Sequence, residues 1–585
     1  MINYKIEIAD AHAHLFQLTL TIPAPAETQA LSLPVWIPGS YMVREFSRHL
    51  GGLQARQGSR AVALRQTSKC SWEARCSGRG ALVVSYQVYA FDSSVRAAFL
   101  DAQRGFFNGA SLCLRAHGKE AQSHGIELAG LPEGWQVATS MTATGVSSYQ
   151  AADYDELIDH PFELGRFWRG EFNASGVPHQ LVVSGAQPVF DGTRLLADAQ
   201  RICEAQIALW HGERRGAGPA LPFGRYVFLL NAVDEGYGGL EHRASTALIA
   251  ARRDLPVLGQ QEVSDGYLRL LGLISHEYFH TWNVKRLRPD TFASFDYSQE
   301  NYTELLWFFE GFTSYYDDLM LRRCGLIDEA RYLKLLSATI SAVLAVPGRK
   351  QQSLAQASFD AWIRYYRQDE NTPNSTVSYY AKGALLALAL DLSLRSQSQG
   401  PSRGASLDEV LRLLWQRSGG GPISEADILA VVAEAGGAAL AEELRQWVHG
   451  TEDLPLPALL ERVGLRWCSD KASLAQRLGL RVSETDGIRV KQVLQGSAAL
   501  AGGLAAGDEI LACNSWRLRK LDEALQTLAP ERLSQMALLV ARDQRVLSLN
   551  LCLPLEPQVG APVRLSPAEK APARALGLRR AWLGG

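Results

Sequence analysis

The chain has 585 residues, too many for one hydrophobic core, so three or four domains are expected. Its apolar fraction of 47% and charged fraction of 21% are those of an ordinary globular protein. Lysine plus arginine (59) nearly balances aspartate plus glutamate (61), so no global field recruits nucleic acid or anionic lipid, and neither is expected as a partner.

From Met1 to about residue 165 the pattern is short alternating strands: "YKIEIADA", "HLFQLTLTI", "ALVVSYQVYAF" and "WQVATSM", punctuated by Gly, Pro and Ser. That predicts an all-β sandwich over 1–165. No continuous apolar run marks a leader in the first residues. The segment 166–255 is mixed, with strands "HQLVVSGA" and "RYVFLLNAV" around a helix through "LADAQRICEAQIALWHG". From 256 to 455 the apolar period turns helical, as in "DGYLRLLGLISHEYFHTWNV" and "SLDEVLRLLWQRSG". The longest apolar run, Ala384 to Leu390, is far short of the roughly 20 residues of a membrane span, so no membrane association is expected. Short strands return over 456–555, and the Pro-, Ala- and Arg-rich tail 556–585 is expected to be flexible. Eight scattered cysteines without a Cys-x-x-Cys pair fit reduced thiols and a cytoplasmic location.

The chemistry concentrates in "SHEYFHTWNVKRLRP", residues 275–289. On a helix, His276 and His280 fall one turn apart on one face, where both imidazoles reach one cation at about 2.0–2.1 Å. Glu277, offset around the helix, is placed to take a proton from a water polarised by that cation. The alternative is a helix whose histidines are satisfied by backbone carbonyls. Thirty residues beyond His280, "ELLWFFEGFTSYY" sets Glu310 among Leu305, Leu306, Trp307, Phe308, Phe309 and Phe312. A carboxylate desolvated there is costly unless a cation is adjacent. Otherwise Glu310 ends a helix and faces water, with Gly311 as its cap; the helical pattern running on through "TSYYDDLMLRRC" favours burial. Asp317, two turns on, either orients a ligand imidazole or sits on the surface. Two histidines and a glutamate leave one tetrahedral position of a zinc ion for water, the catalytic arrangement, with one Zn2+ per chain.

"HEYFHTWNVKRLRP" followed by "WFFEGFTSYY" resembles the gluzincin metallopeptidases, and specifically the PDZ-bearing glycyl aminopeptidase family, related to the aminopeptidase N and leukotriene A4 hydrolase group. "GGLEH" (Gly238 to His242), "YAKG" (Tyr380 to Gly383) and "WIPGSYMVREFSRH" (Trp36 to His49) carry the same resemblance, in the family's order. It implies a multidomain α+β protein: an N-terminal β-sandwich, a thermolysin-like mixed α/β and helical catalytic domain over 166–455, and a C-terminal PDZ domain. It further implies zinc on His276, His280 and Glu310, Glu277 as general base, and Tyr380 as donor to the oxyanion. Tyr379, about 100° away on a helix, competes for that last role. Glu241 would pair with a substrate's free α-amino group, and Gly238 and Gly239 would let backbone approach the substrate. Leu240 and His242 replace the Met and Asn common in the broader group.

"LGLRV" and "DGIRVKQVLQGSAALAGGLAAGDEILACN" resemble a PDZ domain, whose carboxylate-binding turn would be Gly479–Leu480. The family resemblance implies a zinc aminopeptidase removing N-terminal Gly or Ala from peptides; no spacing in the chain shows that residue preference. Two alternatives stand beside it: a PDZ peptide-binding scaffold with a vestigial zinc site, and a zinc endopeptidase. The expected partners are peptides with free N-termini at the zinc and, at the PDZ domain, peptide C-termini. The sequence leaves the oligomeric state open.

Overall fold

The period-two alternation at the N-terminus folds as sheet. Ile2–Asp10 pairs antiparallel with Leu15–Ile22, so that Ile2, Tyr4, Ile6, Phe16, Leu18 and Leu20 all enter one core. The computed structural model describes residues 1–212, 221–397, 405–524, 534–554 and 560–584. Those residues form two units, Met1–Asn301 and Tyr302–Gly585, and the boundary falls inside the segment 166–455.

In the first unit the N-terminal region holds one eight-stranded and two four-stranded sheets. The large sheet is mixed rather than purely antiparallel, because Ile2–Asp10 runs parallel to His124–Ala129. A separate five-stranded sheet follows, in the order Trp168–Ala174, Val177–Ser184, Tyr226–Val233, Ser245–Ala251 and Tyr237–Glu241. Its three inner strands are parallel and its two edges antiparallel. Tyr226–Val233 is buried almost throughout, as a parallel strand covered on both faces must be.

The helix carrying both histidines spans Asp265–Phe279, opened by Ser264, whose side chain accepts the Tyr267 N–H. It stops sooner than the apolar period through Val284 suggests. His280 is the cap residue, still in the right-handed helical region, so it stays on the face of His276. The chain then doubles back: Leu287 N–H bonds Trp282 C=O (2.9 Å) and Val284 takes φ 115°.

In the second unit Glu310 joins helices Leu306–Phe309 and Gly311–Arg323. Backbone bonding runs through it: Glu310 N–H reaches Leu306 C=O and Ser314 N–H reaches Glu310 C=O, both at 2.8 Å. Helix Tyr379–Gln397 is apolar on nearly every side and buried accordingly. It meets Gly311–Arg323 where Gly311 faces Gly383; a Cβ on Gly311 would lie 2.5 Å from the Gly383 Cα. The glycines of "EG" and "KG" are therefore one packing contact, and they bring the backbones carrying Glu310 and Tyr380 together. The PDZ region forms a sheet ordered Leu480–Ser483, Ile488–Val493, Glu509–Cys513, Gln535–Arg542 and Arg545–Cys552.

Over its described residues, 560–584, the tail corrects the expectation of flexibility, while residues 556–559 and 585 of that expectation lie outside the described residues. Val563–Pro567 pairs antiparallel with Leu465–Ser469, and Ala573–Gly584 is a helix. Trp582 is buried, donating Nε1–H to the Tyr315 hydroxyl (2.8 Å) while its carbonyl accepts from Arg323 (3.0 Å). Composition alone marks such a segment as disordered because two anchoring residues hardly move an average. Among the described residues, no helix is long and apolar enough to cross a membrane.

Candidate functional site

His276 and His280 bring their Nε2 atoms to 3.0 Å. His280 Nδ1 lies 2.8 Å from the Asn283 carbonyl, which can only accept, so Nδ1 carries the proton and Nε2 keeps a lone pair toward His276. Two imidazole nitrogens so close and turned toward each other are a donor set that fits a zinc ion. The helix is held from its back. Gln206 donates to the Ser275 carbonyl (2.7 Å), His179 meets the Tyr278 hydroxyl (2.9 Å), and Trp282 donates to His211 (2.9 Å).

The Glu241 carboxylate, from a different motif, reaches the Glu277 carboxylate and His280 of this helix region. Ligand atoms of Glu241, Glu277 and His280 all lie within 4.8 Å of one another, and all three residues are buried. Glycines provide the room. A Cβ on Gly239, in the edge strand Tyr237–Glu241, would lie 2.0 Å from Oε1 of Glu277. A Cβ on Gly39, at φ +95°, would lie 2.5 Å from Oε1 of Glu241. The "WIPGSY" loop thus wraps the very carboxylate that "GGLEH" supplies. Glu241 also lines a cavity of about 30 Å³ walled by Trp36, Tyr41, Phe292 and Tyr297.

Long-range polar contacts, invisible to motif reading, fix this strand. Arg96 donates to the Gly239 carbonyl (3.0 Å). Asp159 accepts the Arg243 N–H (2.9 Å), pairs with Lys285 (2.7 Å) and lies 3.4 Å from His242 Nδ1. Burial pushes the Asp159 carboxyl up, but the Lys285 ammonium, His242 and Arg243 outweigh it and hold it well below the usual range. Burial keeps His242 neutral by lowering its pKa against the pull of Asp159. Asp159 therefore ties the end of the Glu241 strand to the loop that orients His280.

In the second unit Glu310 is buried, as its apolar flanks predict, and Asp317 is half-buried on the next helix. Burial, then the Glu310 carboxylate, raise the Tyr380 phenol well above its ordinary pKa, so it remains a proton donor. Tyr379 is fully buried and stacks on Tyr380 at 4.7 Å between centroids. Tyr365, which no motif flags, stacks on Tyr380, packs at a tilt against Tyr379 and also feels Glu310. In the PDZ region Gly479 caps helix Leu474–Leu478 and gives its carbonyl to Leu494 N–H (2.9 Å), while Leu480 is buried at the start of its strand. Asn374 side-chain contacts to Val493 C=O (3.0 Å) and Gln495 N–H (2.8 Å) seat this region just ahead of Tyr379.

His179 carries a pH prediction. Its Nδ1 faces the Val177 carbonyl (2.9 Å) and burial lowers its pKa to about 4. The folded value lies below the unfolded one of about 6.5, so between these the unfolded chain binds the proton first and stability falls as pH falls. The cost at pH 5 is about 2 kcal/mol. Urea unfolding at pH 7.5 and pH 5 should show this loss in the parent and not in His179→Gln; equal losses in both would remove the assignment.

Three family models match: the Peptidase M61 N-terminal domain over 3–166, the M61 glycyl aminopeptidase over 269–386 and a PDZ domain over 469–541. No curated protein matches the chain. Among solved structures, an aminopeptidase N family protein from Idiomarina loihiensis is 38% identical, covers 100% of both chains and superposes with a TM-score of 0.91. An M1 zinc metallopeptidase from Deinococcus radiodurans is 16% identical over 78% of this chain and 95% of its own, with a TM-score of 0.45. With a full-length relative at that identity and family matches over both the β-rich and the two-histidine segments, the chain belongs to the PDZ-bearing M61 glycyl aminopeptidase family and is a metallopeptidase.

Proposed function

We propose that this metallopeptidase is a zinc aminopeptidase that releases small N-terminal residues, Gly or Ala, from peptides. His276, His280 and Glu310 hold the one zinc per chain. When bound, zinc supplies the Lewis acidity that polarises the scissile carbonyl and makes water a nucleophile near neutral pH. Glu277 takes the proton from that water and hands it to the leaving amine. Tyr380, protonated across the working pH range, donates to the oxygen that gains charge in the transition state.

The observation that carries the exopeptidase reading is the meeting of Glu241, Glu277 and His280 within 4.8 Å. A buried carboxylate beside the base gives a substrate ammonium a fixed seat, and that seat sets how far the cut lies from the end. Peptide C-termini at Gly479–Leu480 are a further proposed contact, made by strand addition to the edge strand Leu480–Ser483.

Replacing Glu241 by Gln keeps its volume and removes its charge. We expect kcat/KM on alanyl and glycyl amides to fall roughly 10²-fold, about 3 kcal/mol, with little change on N-acetylated peptides. Blocked peptides cut as fast as free ones by the parent enzyme would instead establish an endopeptidase.

A further inference from the structure

Lys382 is the residue of the "YAKG" run to which the peptidase chemistry gives no task. It lies on the central helix Tyr379–Gln397 and is only 2% exposed. Its Nζ lies 3.5 Å from the Arg349 carbonyl, long for an ammonium donor. The carboxylates around it are already engaged. Asp453 pairs with Arg349 (2.9 Å) and Lys350 (3.2 Å), and Glu452 with Lys350 (3.4 Å). Among the described residues here, three cations thus share two carboxylates, and the most buried cation has the poorest share. A buried ammonium left in that state is costly.

Beside it is a pocket of about 210 Å³, lined by Ile340, Val343, Leu344, Leu385, Leu456 and Trp467 together with Lys382 and Asp453. Its walls are mostly hydrocarbon, and the one carboxylate among them, Asp453, is already held by Arg349 and Lys350. Apolar walls around one under-compensated cation are complementary to a molecule with an aliphatic chain and a single negative end. We propose that this pocket binds a medium-chain aliphatic carboxylate, its chain against the aliphatic walls and its carboxylate on the Lys382 ammonium. At interior packing density the volume suits a chain of about six to eight carbons. Burial lowers the amine to about pKa 8, with Asp453 and Glu452 opposing and Lys350 and Arg349 adding to the shift, so the cation persists at neutral pH.

The test is calorimetric titration of the full-length zinc-loaded protein with octanoate at pH 7, with octylamine, a cation of the same chain length at that pH, as the charge-reversed control. Saturable one-site binding is expected, weakened about tenfold or more by Lys382→Met, by exchange for octylamine, and by raising the pH to 9.5. Val343→Trp, which fills the pocket and leaves the amine, should abolish binding, and far-UV circular dichroism reports whether either variant is folded. If Lys382→Met does not fold, the pH and octylamine comparisons decide on the parent protein. Absence of saturable binding up to about 10 mM octanoate, equal binding of octylamine, or octanoate binding that follows zinc content instead of Lys382 would overturn the proposal.

Discussion

Glu277→Gln should retain its metal and lose turnover. Glutamine matches the glutamate in shape but cannot accept a proton from water, so the loss falls on kcat. General-base catalysis of this kind contributes roughly 10²–10⁴-fold, about 3–5 kcal/mol. Glu277 is not among the proposed ligands, so zinc content should stay at the parent value. Steady-state kinetics on glycyl and alanyl amides, with metal analysis of the same sample, separate the two effects. A variant with full kcat would remove Glu277 as the base. A variant that lost zinc would place Glu277 among the ligands instead.

Gly239→Ala is the second large effect, and it comes from geometry rather than from a reactive group. The added carbon would lie 2.0 Å from Oε1 and 2.2 Å from Cδ of Glu277, so either the carboxylate or the edge strand must move. Arg96 on the Gly239 carbonyl resists movement of the strand, which leaves the carboxylate to shift. A displacement of about 1 Å at a catalytic group costs roughly 10²-fold in rate. Because the damage passes through Glu277, the double variant Gly239→Ala, Glu277→Gln should be no slower than Glu277→Gln alone. Additive losses would show that Gly239 acts elsewhere, for instance on substrate backbone directly.

What could be read from sequence is what local spacing encodes. His276 and His280 share a face because of helical pitch, and the apolar flanks of Glu310 foretell its burial. The alternating N-terminal strands and the apolar helices were legible for the same reason. What escaped is held by contacts between distant positions. Arg96 and Gly239 are 143 residues apart, and Asp159 and Arg243 are 84 apart, so neither pair leaves a periodic trace. The helix end at Phe279 depends on a loop folding back onto Trp282, which no breaker residue announces. Tyr365 looks like any aromatic until it packs against Tyr379 and Tyr380. The order of the tail turns on Trp582 reaching Tyr315 across 267 residues. Gly39 is instructive in the other direction: its motif was visible, but its purpose, clearance for Glu241, needed the fold.

The central claim is that two imidazoles of one helix and the carboxylate of a later one share a single zinc ion on which hydrolysis depends. Zinc content by plasma mass spectrometry, read alongside turnover for the parent and for Glu310→Ala, tests it most directly. The parent should carry one zinc per chain, and the variant should lose zinc and activity in parallel. Stoichiometric zinc with undiminished turnover after Glu310→Ala, or full activity of a chelated, zinc-free parent, would contradict it.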